Sequence, residues 1–120
     1  MQFIAIGESY MNSILNELND ITVELIIQRA KIDSSPDTQM YQFITKCVGE
    51  IDAIAAAYVI APMQSNLHGK YQHTIARVCI FLQFIDDFKC TNNSDDVQNI
   101  VNFTTEQMNA IAYQIIEANE

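Results

Sequence analysis

The chain has 120 residues, 49% of them apolar and 18% charged, enough for one domain with a single core and too few for two. Fifteen acids against six Lys and Arg give a formal charge of −9, and without a basic stripe to neutralise phosphates, direct binding to nucleic acid or an anionic membrane is disfavoured. Three cysteines without a Cys-x-x-Cys pair exclude a disulfide scaffold and a structural zinc site, and fit a reducing cytosol.

The N-terminal residues carry no basic region and too short an apolar run for a signal peptide. A single domain over residues 1–120, in the cytoplasm, is therefore expected. Phe3 to Ile6 read as a short strand or, in preference, an extended lead-in that covers the core. The first helix is expected from about Glu8 to Lys31, because Met11, Ile14, Leu18, Ile21, Leu25 and Ile32 recur at spacings of three and four, interrupted only by Gln28. Across from that seam lie Glu17, Asp20 and Glu24. None has a Lys or Arg four residues later to pair with. The plainer reading of these acids is a solvated helix face.

Asp33-Ser34-Ser35-Pro36-Asp37 is a break, with Ser35 suited to an N-cap and Pro36 to the first helical position. The second helix is expected from Pro36 to about Ala61, with Met40, Ile44, Cys47, Ile51, Ile54 and Tyr58 inward. From Ala53 to Met63 this stretch has no charge and is apolar all round, which predicts a largely buried helix. Gly49 in its interior suggests a close helix crossing or a kink, and Pro62 ends it.

Gln64 to Gly69 form a loop, with Asn66 as an alternative early cap, and a third helix follows to about Phe88. Its expected seam is Tyr71, Ile75, Val78, Leu82 and Ile85. The other side carries His73, Arg77, Ile80, Phe84 and Asp87, so Ile80 and Phe84 are either covered by another helix or form an apolar patch rimmed by charge, the composition of a partner site. After a break at 90–94, Ser94 caps a short fourth helix ending near Asn102. Thr104 with Gln107 reads as a capping box for a fifth, to about Ala118, burying Met108, Ile111, Ala112, Ile115 and Ile116. Period-two alternation is almost absent. The fold class is all-α: a single-domain antiparallel helical bundle of four to five helices.

No catalytic motif stands out. His68 and His73 diverge by about 140° on a helix and cannot share a metal through one face. Cys47 and Cys79 read as small buried hydrophobes and Cys90 as exposed, with no base to activate any of them. Asp86 and Asp87, in the last turn of the third helix, oppose its dipole. Such a pair can hold Mg²⁺ with a substrate phosphate, but no second acidic cluster supports it here. The chain is thus expected to be no enzyme and to need neither metal nor cofactor.

Acids spread over several elements fit steering toward a basic partner better than a compact catalytic cleft. The leading expectation is a small binding protein that neutralises a basic protein, most concretely an immunity protein blocking a toxic nuclease. Its partner-binding candidates are Glu17, Asp20, Glu24, Phe84, Asp86 and Asp87. In size, acidity and helicity the chain is similar to toxin-neutralising proteins, and an anti-nuclease protein of phage origin would carry the same features. The alternative is a helical subunit of a larger complex, or a homo-oligomer formed through Ile80 and Phe84.

Overall fold

The structure is a computed structural model. It describes the backbone of residues 2–32, 39–63, 69–92 and 94–118, and the side chains of 13–32, 39–63, 69–92 and 94–117. Among the described residues there are four α-helices: α1 (Gln2–Lys31), α2 (Gln39–Ile60), α3 (Gln72–Thr91) and α4 (Asp95–Ala118), with a 3-10 turn at Ala61–Met63. Neighbours in the chain are neighbours in space, and α4 closes the ring against α1. All four contacts are antiparallel, as paired residues show: Arg29 Nη1 donates to Thr45 Oγ1 at 2.9 Å, Tyr58 stacks on Tyr71, Lys89 Nζ donates to Asn102 Oδ1 at 3.5 Å, and Gln114 Nε2 donates to Glu17 Oε2 at 2.9 Å. The result is an up-down-up-down bundle, 49 × 26 × 20 Å.

The seams follow a seven-residue rhythm. Buried positions run Ile14, Leu18, Ile21, Leu25 on α1 and Ile44, Cys47, Ile51, Ile54, Tyr58, Ala61 along α2 and its terminal turn. On α4 they run Val97, Val101, Thr104, Met108, Ile111, Ile115. Alternating steps of three and four hold one narrow stripe against the partners, the pattern of a left-handed bundle. The expected seams are observed from Ile14 to Leu25 and from Ile44 to Tyr58, with Ile32 and Met40 half-buried at their ends and Phe43 buried in addition; the side chain of Met11 lies outside the described residues.

Several boundaries and faces differ from expectation. The helical backbone of α1 begins at Gln2, through the stretch read as an extended lead-in, because no proline breaks it and Gly7 is tolerated inside a helix. The proposed caps at Ser35 and Asn66, with Pro36, lie outside the described residues, as does His68. Pro62 falls in the tightened 3-10 turn rather than after a clean stop. Gly69, at φ 128°, takes the left-handed conformation that starts the turn into α3.

The expected fourth and fifth helices are one. Ser94 does cap it, its Oγ accepting from the Val97 N–H at 3.3 Å, but the chain passes Thr104 without interruption. No Gly or Pro lies between Ser94 and Ala118, and the three-four rhythm continues across the supposed break. Thr104 is buried in mid-helix instead of capping. Ile116, expected to be buried, is exposed.

On α3 the inward stripe is turned by one residue. Thr74, Val78, Phe81 and Ile85 are buried, while Tyr71, Ile75 and Leu82 pack at its edge. Helix α2 covers one face and not all sides: Asp52, Ala56, Val59 and Ile60 face outward. Each helix in a ring of four has two neighbours, so none can be wrapped completely. Gly49 is also on the outside, and a Cβ there would meet nothing within 4 Å, so it serves neither a close crossing nor packing.

Candidate functional site

The ring order sorts the charges. No Lys or Arg occurs among residues 2–28, nor anywhere after Lys89. The helices carrying those two segments, α1 and α4, pack side by side. Between them these two helices carry Glu17, Asp20 and Glu24 on α1 and Asp95, Asp96, Glu106 and Glu117 on α4, and their cations, Arg29 and Lys31, are confined to the last turn of α1. The opposite side, α2 with α3 and the turn before it, sets Lys46, Lys70, Arg77 and Lys89 against Glu50, Asp52, Asp86 and Asp87. One long side is therefore negative and the other balanced.

What holds the acids matters as much as where they are. Gln28 Nε2 donates to Glu24 Oε1 at 2.8 Å, Gln114 Nε2 to Glu17 Oε2 at 2.9 Å, and Gln83 Nε2 to Asp87 Oδ1 at 2.9 Å. Neutral amides fix these carboxylates without cancelling their charge, so the field reaches solvent. Two of the cations are occupied elsewhere: Arg29 lies 5.1 Å over the Tyr41 ring and Lys46 4.6 Å over Phe84.

The six candidate residues do not form one surface. Glu17, Asp20 and Glu24 sit on α1, the first and last half-buried against the α4 side and Asp20 exposed. Phe84, Asp86 and Asp87 sit on α3, diagonally across the ring from α1. Phe84 packs on the core, its ring 5.6 Å from Phe43 at 32°, while Phe43 stacks on Phe88 at 3.9 Å. Ile80, one turn before Phe84, is 62% exposed, whereas Phe84 is half-buried. Asp86 and Asp87 are exposed, and since α3 continues to Thr91 they stand one turn before its end.

At the end of the bundle where α1 and α3 finish and α2 and α4 begin lies a groove of about 780 Å³, lined mainly by α1 and α4, with Gln39 and Met40 of α2 and Phe88 of α3. Its apolar lining includes Leu25, Ile32, Met40, Phe88, Ile100 and Phe103, and Glu24 of α1 and Asp96 of α4 are its two carboxylates. The physical cause is in the sequence: Gln28 occupies the seam position where a hydrophobe would close α1 on α4, and its amide turns to Glu24. Val97 and Ile100 are correspondingly the least covered core residues, at 5% and 8% exposed. The interruption at Gln28 is visible in the sequence; that it faces α4 is not.

Among the described residues no group of three or more His, Cys, Asp or Glu could hold a metal ion, and no helix is long and apolar enough to cross a membrane. All three cysteines are free. Cys47 is buried, and desolvation, with a smaller contribution from Glu50, pushes its thiol up to about 12. Cys79 is exposed, contrary to its expected burial, because the turned stripe of α3 places Val78 inward instead. Cys90 is exposed. Comparison with known proteins finds no matching family model, no matching curated protein and no matching solved structure.

Proposed function

We propose that this chain is a small acidic binding protein whose α1–α4 side docks onto a basic protein and neutralises it, most concretely as an immunity-type inhibitor of a nucleic-acid-cleaving toxin. One observation carries the reading: the two helices whose segments lack cations up to Gln28 and after Lys89 lie side by side, with acids pinned by neutral amides. A nuclease is basic where it binds phosphate, so an acidic strip both steers the encounter and competes for that surface. Binding, not catalysis, is the role proposed, in the cytosol, where three free cysteines are compatible with a reducing environment.

The test is titration against a panel of basic nucleases, reading substrate cleavage and association rate at about 50 and 300 mM salt, either side of the roughly 8 Å screening length of physiological buffer. Inhibition of at least one, with an on-rate that falls steeply with salt and is slowed by Glu17→Lys, Asp20→Lys and Glu24→Lys together, supports the reading. Binding indifferent to those changes removes the electrostatic account. The second reading is a helical subunit of an assembly or a homo-oligomer, favoured by the exposed Val59, Ile60 and Met63 at one end of the bundle. A concentration-independent monomer mass, with no larger species in solution, removes the homo-oligomer.

A further inference from the structure

We infer that the groove at this end of the bundle seats an apolar anchor side chain of the basic partner, flanked on the partner by cationic residues that reach Glu24 of α1 and Asp96 of α4. This rests on the acidic-face reading above and adds to it a place and a recognition pattern.

Charge alone attracts without fixing register, because exposed carboxylates accept a cation from many directions. A groove with an apolar floor does fix it. Clefts of 300–1,000 Å³ are the usual size for an inserted group, and this one, at about 780 Å³, exceeds the needs of one large side chain. Apolar anchors seated in desolvated pockets dominate binding energy, with polar rims excluding water around them. The rim here fits that division. Glu24 is held in place by Gln28, Asp96 is exposed in the first turn of α4, and Lys31 is the one cation lining the groove. The partner's cations therefore belong beside Glu24 and Asp96, with any partner carboxylate toward Lys31.

The occupant follows from complementarity. A purely acidic or neutral apolar segment would meet the two carboxylates, and a purely basic one would leave the half-buried Ile32, Met40 and Phe103 in contact with water. A basic-apolar-basic segment matches both parts of the groove.

The probe is a pair of synthetic helical peptides on the full chain. Each carries four lysines; one has a central leucine anchor and the other alanine in its place. Binding is followed by NMR on the isoleucine and leucine methyls at low salt. The leucine peptide is expected to shift Leu25, Ile32 and Ile100 and to bind roughly tenfold more tightly than the alanine peptide, the scale of one buried aliphatic side chain. Gln28→Trp, which projects a large ring into the groove and leaves every charge in place, is expected to narrow that tenfold difference, while Glu24→Gln with Asp96→Asn weakens both peptides. If both peptides bind equally to the unaltered chain and shift only residues beside the acids, the groove proposal is overturned and the acidic face stands. If neither binds at low salt, the acidic-face reading fails as well. Methyl shifts that grow with protein concentration in the absence of peptide would give the groove to a second copy of the chain and overturn the proposal too.

Discussion

Thr104 offers the sharpest test of the packing. Its hydroxyl is buried in α4 without a hydrogen-bond partner, as is that of Thr74 on α3. Thr22 shows what is missing, since its Oγ1 donates to the Leu18 carbonyl one turn back at 3.0 Å. A buried hydroxyl without a partner costs about 1–3 kcal/mol in lost hydration. Valine keeps the branched shape, has similar helix propensity and replaces the hydroxyl by a methyl. Thr104→Val is therefore expected to stabilise the protein by about 1–2 kcal/mol. Unfolding entropy of about 2.1 cal/mol/K per residue comes to about 0.25 kcal/mol/K for 120 residues, so the melting midpoint should rise by about 4–8 °C. Urea unfolding followed by helical circular dichroism reads the same quantity, as a higher midpoint at unchanged slope. A loss of stability in Thr104→Val would refute the reasoning, because the hydroxyl would then have a partner whose removal costs energy. Thr74→Val should behave alike, and gains that fail to add in the double variant would place both hydroxyls on one shared group.

Gly49→Ala, on the exposed side of α2 with open space around a Cβ, should stabilise by about 1 kcal/mol in the same assay. In thiol titration at pH 8 two cysteines, Cys79 and Cys90, should react at once and Cys47 only on unfolding. Because burial raises the Cys47 thiol from 9.0 to about 12, the folded state keeps a proton that the unfolded state loses. Stability should fall as pH rises from about 9 toward 12, and a Cys47→Ala variant should lack that part of the decline. Ile80→Lys should leave the stability within about 0.5 kcal/mol of the parent, whereas Phe84→Ala, which loses contact with Phe43 and Lys46, should cost about 1–3 kcal/mol. Equal effects at the two positions would contradict their different surroundings.

Much of the fold is legible in the chain because the three-four rhythm is nearly unbroken. The α1 and α2 seams follow from Ile14, Leu18, Ile21 and Leu25 and from Ile44 to Tyr58. Two of the misreadings, the break at Thr104 and the stripe of α3, have the same source: polar residues on a buried stripe. Thr104 with Gln107 has the spacing of a helix start, yet without a glycine or proline break nearby the rhythm from Val97 to Ile115 outweighs it. On α3 the choice lies between Ile75 with Leu82 and Thr74 with Phe81. Composition favours the first pair. The contacts of Phe84 with Phe43, and the need of one helix to face two neighbours, select the second. The acids could be named from the sequence, but their sorting could not. An extra helix expected between α3 and the C-terminus obscured the simple ring in which the first and last helices touch.

That ring has a thermodynamic side. The carboxylates lining α1 and α4 repel one another across the seam they share, and the seam stands most open at its Glu24–Asp96 end, where Val97 and Ile100 are least covered. Dissolved cations that screen this repulsion, or a lysine-bearing molecule that bridges the two carboxylates, draw the helices together. Anything that binds there also tightens the fold. Occupancy should therefore be readable as added resistance to unfolding, before any partner is known by its activity.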